Sequence, residues 1–347
     1  MLHDEDNRVM AQTGKELKVS IIIPVYGVSA YIERCIKSVM SQTCHGLECI
    51  IVDDATPDDS IVKCKQMIDA YHGPIRFSIL HHQQNRGLSA ARNTGTEAAT
   101  GDYFFYLDSD DALAPDCIEK LLRPILNDKT IEIVQGRCKR HSDGYPLPLI
   151  QSKELQEGDY TTPETIRNLY FNKRNFSVAA WNKLIKREFL IQNHLYFKEG
   201  ILWEDTLWTF FVLKHLSHLY IIPDYTYYYY KRPQSITTGT SKEERACHWG
   251  IVFEEIANHL TVGEEKREVE YYVRGFCVLY TYNSNNKRFQ DVSRRFGEVL
   301  SIWNSPSQKI LLLVTRFLSK TLIGRKLFSA ARRIYHLRHK LKCIKFS

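Results

Sequence analysis

The chain is 347 residues long, 44% hydrophobic and 25% charged, an ordinary globular composition with length for roughly two domains. Its net charge of +7 is unevenly placed: eleven Lys and Arg lie from Lys309 to Lys345 and no Asp or Glu follows Glu298, so the remainder carries −4. The basic character belongs to a tail, and no run approaches the ~18 apolar residues that a bilayer-spanning helix needs. The nine cysteines are scattered singly, with no CxxC pair, and Met1-Leu2-His3-Asp4-Glu5-Asp6 is too polar for a secretory leader. Both features lead us to expect reduced thiols in a cytoplasmic compartment.

Residues 1–16 are expected to form a poorly ordered arm. Val19-Ser20-Ile21-Ile22-Ile23 then reads as a buried strand that Pro24 ends. From Tyr31 the apolar residues fall at 31, 32, 35, 36, 39 and 40, a helical stripe. Glu48 to Val52 is a second strand, and Thr56-Pro57-Asp58-Asp59 is a turn that starts a helix. A third strand, Ile75 to His81, leads to the turn signal Asn85-Arg86-Gly87 and an alanine-rich helix from Ser89 to Ala99. Tyr103 to Leu107 is the fourth strand, a helix from Pro115 to about Leu126 follows, and Ile131 to Val134 is one more strand. This β-α-β-α alternation predicts an α/β fold with a mostly parallel central sheet and helices on both faces. Residues 137–163 read as polar loop, 164–236 as a mixed segment rich in Trp and Tyr, and 242–347 as mostly helical.

Two strands end on carboxylates: Asp53-Asp54 after the second, and Asp108 and Asp110 after the fourth. Ligands of open α/β sheets bind at the carboxyl ends of strands. An Asp-x-Asp pair there suits a hard divalent cation and the diphosphate it neutralises. Neither GxGxxG nor GxxxxGK[ST] follows the first strand, which argues against a dinucleotide fold and a P-loop. Each acidic pair taken alone reads equally well as a helix cap or a solvated turn.

Four motifs in order, Ser20-Ile21-Ile22-Ile23-Pro24-Val25-Tyr26, Ile51-Val52-Asp53-Asp54-Ala55-Thr56, Asn85-Arg86-Gly87-Leu88-Ser89-Ala90-Ala91-Arg92-Asn93 and Leu107-Asp108-Ser109-Asp110-Asp111, resemble the family 2 glycosyltransferases of GT-A fold over roughly residues 17–236. The resemblance implies inverting transfer of a sugar from a nucleoside-diphosphate donor. It implies nucleotide contacts at Pro24, Val25, Tyr26, Asp54, Arg92 and Asp108, with Tyr26 stacking on the base. It implies metal ligation by Asp110, with Asp108 beside it, and Mn²⁺ or Mg²⁺ as the cofactor. Ala55-Thr56 stands where the family more often has Gly-Ser.

Trp203-Glu204-Asp205-Thr206 resembles the element in which this family places its catalytic base. Asp205 is expected to be that base, with Glu204 the runner-up; the plain alternative is acids at a helix start. Lys231-Arg232-Pro233-Gln234-Ser235 resembles a segment that closes over the diphosphate, with Arg232 and Ser235 as contacts. Trp181, Lys183 and Trp203 stand as candidates for the acceptor cleft, or equally as core. The processive Gln-x-x-Arg-Trp element is missing, so single-sugar addition is expected.

The organisation expected is therefore a nucleotide-sugar half at 17–136, an acceptor side at 137–240 and a helical region at 241–347. The tail from Pro306 to Ser347 alternates apolar and basic residues at near-helical spacing. It suits an anionic membrane surface, the inner face of the plasma membrane, rather than nucleic acid, for which no motif is present. The partners implied are a nucleotide-sugar donor and a glycan or lipid-linked glycan acceptor, as in bacterial capsule or lipopolysaccharide assembly; a homo-oligomer stays open. The rival readings are a non-catalytic nucleotide-sugar-binding or scaffolding relative and a nucleotidyltransferase. The second would need a Gly-rich, Arg-containing loop where Pro24-Val25-Tyr26 stands.

Overall fold

The computed structural model describes residues 17–141, 157–173, 175–231, 240–260, 266–283 and 285–302. The arm at 1–16, Arg232, Ser235 and the tail at 306–347 lie outside the described residues. The chain divides into two compact units, Met1–Gly239 and Thr240–Ser347.

The first unit is built on one nine-stranded sheet of order β3-β2-β1-β4-β8-β6-β9-β5, with β7 paired to β9. Its first half is β1 (Val19–Val25), β2 (Leu47–Asp53), β3 (Arg76–His81) and β4 (Tyr103–Tyr106), all mutually parallel. Helices α1 (Ile32–Met40), α2 (Ser60–Asp69) and α3 (Leu88–Ala98) make the crossovers. The second half is mixed. There β8 (Lys183–Lys186) runs antiparallel to both β4 and β6 (Ile133–His141), and β9 (Leu219–Tyr230) is parallel to β6 but antiparallel to β5 (Ala112–Leu113) and β7 (Gly158–Tyr160).

Strand β1 is buried on both faces, as its unbroken apolar run requires. Ile21, Ile23 and Val25 face a core shared with Cys35, Ile36 and Val39 of α1 and with Ile118, Leu121 and Ile125 of α4 (Cys117–Asn127). Ile22 faces the opposite core, shared with Ala91 of α3 and with Trp208, Val212 and Leu213 of a later helix, Glu204–His215. Two short helices intervene in the chain, α5 (Pro163–Asn168) and α6 (Arg187–Gln192), so that later helix is α7. Small residues bring α3 close: a Cβ on Gly95 would collide with the Ile22 side chain.

Two expectations need correction. Pro24 does not end β1, which continues through Val25 in register with Val52 and Asp53. The β1–β4 pairing stops at Ile22 and Tyr106, so β4 asks nothing of the missing Pro24 N–H, and Val25 accepts from the Asp54 amide on the β2 side. Residues 137–141 are not loop but the end of β6, paired with the tyrosine run of β9 from Arg137↔Tyr225 to His141↔Tyr230. The alternation of Cys138 with Arg137 and Lys139 carries a strand that charge alone disguised.

The second unit contains α8 (Lys242–His259), α9 (Lys266–Asn283) and α10 (Lys287–Ile302). Ser241 caps α8 by accepting from the Glu244 amide at 3.1 Å. Its core is aromatic: Phe276 lies 5.7 Å from Phe253, 5.8 Å from Phe289 and 5.1 Å from Phe296 between ring centroids. No helix among the described residues is long and apolar enough to cross a membrane.

Candidate active site

The site forms where β1, β2 and β4 reach their carboxyl ends and α7 begins. Tyr26 follows β1 and is 49% exposed, while Pro24 and Val25 are buried. Of these three nucleotide candidates only Tyr26 therefore presents a side chain to a ligand. The next turn is fastened to the loop after β2: Gly27 N–H donates to Thr56 Oγ1 at 2.8 Å, and Ser29 N–H donates to Asp58 at 2.8 Å.

The two carboxylates after β2 have separate duties. Asp54 is 2% exposed, and its oxygens accept from the backbone N–H of Arg86 and of Gly87, both at 2.8 Å, with His82 Nδ1 at 2.7 Å. Gly87 takes a left-handed φ of 88° to start α3. Asp54 thus ties β2 to the start of α3 from a nearly enclosed position. Asp53 stays 14% exposed at its side chain, accepting from the Thr56 amide and lying 2.8 Å from His81 Nδ1. Between them and Thr56, Ala55 holds a left-handed φ of 54°, which accounts for glycine being the commoner residue there.

Arg92 is the centre of the site. Its side chain is 1% exposed, although it is a cation on an alanine-rich helix. Nη2 donates to Asp108 Oδ1 at 2.8 Å, and Nη1 donates to Glu204 Oε1 at 2.7 Å and to Asp205 Oδ1 at 3.0 Å. The Phe197 ring lies under the guanidinium at 5.1 Å, wedged between Tyr106 and Trp208. Both terminal nitrogens of Arg92 are thus engaged by three carboxylates in the buried interior. One buried cation gathers acids that are sixteen and more than a hundred residues away in sequence.

These acids differ in access. Glu204 keeps 7% of its side chain exposed, Asp205 22% and Asp108 25%. Burial and the neighbouring Asp205 push the Glu204 carboxyl up to about 7, against the pull of Arg92. Burial raises Asp205 too, with Arg92 opposing and Asp108 adding to the rise. For Arg92 burial disfavours the cation, but Asp205, Asp108 and Glu204 more than offset this and keep it charged. Of the two acids at the start of α7, Asp205 is the more open.

Beyond β4 the acidic loop is held from behind. Arg34 lies 3.5 Å above the Tyr230 ring and donates to the Asp110 carbonyl at 2.5 Å. Asp111, 1% exposed, accepts from the Tyr227 hydroxyl at 2.7 Å and the Tyr230 amide at 2.8 Å. Its carboxyl is raised by burial and then by the charges of Asp110 and Asp108, a mark of excess negative potential at this loop. That potential, and the hard oxygens of Asp108 and Asp110, fit a divalent cation. Among the described residues no group of three or more protein ligands is arranged to hold one. Mg²⁺-type ions characteristically take one or two carboxylates and complete their shell with water and substrate phosphate.

Two acceptor-cleft candidates are corrected. Trp181 is 8% exposed and stacks on Tyr227 at 4.5 Å and 16°, so it is core. Lys183 is wholly buried and donates to the Ala179 carbonyl. Trp203, half-buried with a left-handed φ of 59°, turns the chain into α7. The sequence reading missed Phe197 and Tyr227, whose aromatic identity carries no sign of position.

The family model described as glycosyl transferase family 2 matches residues 20–192. The chain is 32% identical to the uncharacterized glycosyltransferase EpsJ of Bacillus subtilis over 225 residues, 63% of this chain and 62% of that protein. It spans 62% or less of the length of the first curated relatives it matches. Among solved structures it resembles S. aureus TarS 1-349 in complex with UDP-GlcNAc, at a TM-score of 0.59 and 17% identity, covering 88% of this chain and 92% of that one. It also resembles the mannosyltransferase PcManGT of Pyrobaculum calidifontis in complex with GDP-Man and Mn²⁺, at 0.54 and 16%, covering 94% and 90%. The mixed α/β fold with its strand-end carboxylates is of the GT-A kind, and through residues 20–192 this chain belongs to the family 2 glycosyltransferases.

Proposed function

We propose that the protein is an inverting, metal-dependent glycosyltransferase that moves a single sugar from a nucleoside-diphosphate donor, a UDP-sugar by preference, to a hydroxyl of a glycan or lipid-linked glycan in surface-polysaccharide synthesis. The observation that carries this reading is the Arg92 cluster, which holds Asp108 and Asp205 at one crevice on the sheet's carboxyl edge. TarS with UDP-GlcNAc supports a nucleotide-sugar donor, and PcManGT with Mn²⁺ supports the metal.

In this reading Tyr26 stacks on the base, and Asp53, rather than the enclosed Asp54, offers the nearby carboxylate to it. Asp108 orients the donor from its seat on Arg92. Asp110, with Asp108 beside it, would hold a divalent ion, which when bound supplies positive charge to the leaving diphosphate. Asp205 accepts the proton of the acceptor hydroxyl while that oxygen forms its bond to C1 of the sugar. The bond from C1 to the diphosphate oxygen breaks on the opposite face, and the nucleoside diphosphate leaves with the electron pair. Such base assistance is worth about 10² to 10⁴ in rate. The basic tail from Pro306 brings the enzyme to an anionic membrane carrying the acceptor.

The test is release of nucleoside diphosphate from a panel of UDP-, GDP- and dTDP-sugars, with Mn²⁺ and with chelator. Metal-dependent release from one donor class, lost in Asp110→Asn, is expected. Silence across the panel, with donor binding seen by calorimetry, would instead support a binding protein of the same fold.

A further inference from the structure

A third acid directly follows the Asp-x-Asp pair, so three carboxylates fall within the four residues Asp108 to Asp111. Acids so close repel one another, and such a loop has no reason of its own to keep one shape. Asp111 is nevertheless only 1% exposed, and a carboxylate at that depth needs donors. They come from the tyrosine run that ends β9.

Tyr227 is wholly buried, with its ring stacked on Trp181 and its backbone paired opposite Leu113 of β5. Strand pairing and packing therefore fix where its hydroxyl lies. That hydroxyl meets the loop at both ends: it donates to Asp111 Oδ2 at 2.7 Å and accepts the Asp108 N–H at 3.3 Å. The loop also closes between the same two residues, the Asp111 N–H donating to the Asp108 carbonyl at 3.0 Å. Asp111 Oδ1 accepts the Tyr230 N–H, and the Tyr230 ring in turn carries the guanidinium of Arg34, which donates to the Asp110 carbonyl. Asp108, Asp110 and Asp111 are thus each tied, through backbone or side chain, to one circuit made by Tyr227, Tyr230 and Arg34. The circuit holds the loop's backbone, while the Asp108 side chain, 25% exposed, rests on Arg92.

We infer that Tyr227 and Arg34 are positioning residues that set the Asp108–Asp110 loop for a divalent cation bound with the donor diphosphate. The inference rests on the reading of Asp110 as metal ligand. Neither side chain need touch the ion: Tyr227 acts through the Asp108 amide and the Asp111 carboxylate, Arg34 through the Asp110 carbonyl. Removing groups that orient metal-binding carboxylates in this way costs about 10- to 100-fold in metal affinity or activity. For Arg34, charge and hydrogen bond pull in opposite directions. A cation near a metal site repels the metal, so if charge alone mattered its removal would tighten binding. Loss of an anchor loosens it.

The test is titration of the full chain with Mn²⁺ in the presence of UDP, GDP and dTDP in turn, read from the EPR signal of free Mn²⁺. Tyr227→Phe keeps the stacked ring and deletes only the hydroxyl; it should weaken Mn²⁺ binding about 10- to 100-fold. Arg34→Met should weaken binding too, although a positive charge has gone. Glu48→Gln, near the start of β2, is the control for lost stability alone and should bind Mn²⁺ as wild type does. A folded Tyr227→Phe with wild-type Mn²⁺ affinity overturns the inference, and so does an Arg34→Met that binds Mn²⁺ as tightly as wild type or more tightly. If Tyr227→Phe does not fold, Arg34→Met decides by the sign of its change. Asp110→Asn tells the two levels apart. No Mn²⁺ binding by the wild-type chain with any of the three diphosphates, or unchanged binding in Asp110→Asn, fails the metal reading itself. Binding lost in Asp110→Asn beside unchanged affinity in Tyr227→Phe and Arg34→Met fails only the positioning role.

Discussion

At the scale of residues, charge burial decides what each motif does. Asp108, Glu204 and Asp205 are legible in the sequence because strand ends and helix starts announce carboxylates. Their convergence is not legible, since Arg92, the residue that enforces it, stands in the sequence as a nucleotide contact and not as a partner of these acids. Asp53 and Asp54 make the same point: identical neighbours, of which one is enclosed by backbone N–H donors and the other stays partly exposed beside His81. Lys183 and Trp181 read equally as cleft or core because polarity and aromaticity say nothing about depth. The energetic weight of Arg92 follows from its place. Removing one partner of a buried ionic group costs about 3–5 kcal/mol, because the remaining charges are left without compensation. Arg92→Met should therefore lower the thermal midpoint by several degrees and abolish transfer. At acid pH, where Glu204 and Asp205 become neutral, the stability deficit should shrink. A melting curve equal to wild type at neutral pH would show that the three acids do not depend on Arg92.

At the scale of elements, the parallel half of the sheet was readable almost residue for residue, because buried parallel strands are plain apolar runs. The far half was not. Strand β6 hides behind alternating Arg and Lys, and β8 is only four residues long. One polar residue also hides a structural knot: Glu48 lies in β2, at the end of the sheet away from the site. It accepts from Ser20 Oγ at 2.7 Å, from the Thr100 amide at 2.7 Å and hydroxyl at 2.9 Å, and from Arg76. Burial alone would raise its carboxyl, but these hydrogen bonds outweigh burial and hold it at about 2 instead of 4.5. A carboxyl depressed in the folded state stabilises the fold fully above its unfolded value and loses that contribution as pH falls through the folded one. The window is thus pH 4.5 down to 2. Glu48→Gln should be less stable than wild type at pH 7, and the gap should close as pH falls through this window. Parallel denaturation curves at all pH values would dismiss the knot.

At the scale of the molecule, the two units each carry their own core. Among the described residues the cores on the two faces of the sheet draw on residues up to Tyr229, while Phe253, Phe276, Phe289 and Phe296 serve the helices after Thr240. In the sequence the corresponding signal is the passage from β-α alternation through a mixed segment to a mostly helical pattern after residue 242. Pattern tells the kind of element but not which residues close a core, so the aromatic centre of the helical unit went unread. A unit with its own core and all its sheet partners should fold alone. Every acid and cation of the Arg92 cluster lies before Gly239, and every basic residue of the tail lies after it. Residues 1–239 made alone should therefore unfold cooperatively and bind the donor with metal, by calorimetry, much as the full chain does. They should fail to sediment with anionic vesicles, which the full chain should do in a salt-dependent way. Sedimentation of the 1–239 piece would move the membrane contact out of the tail. Loss of donor binding in a folded 1–239 piece would mean that the helical unit completes the site.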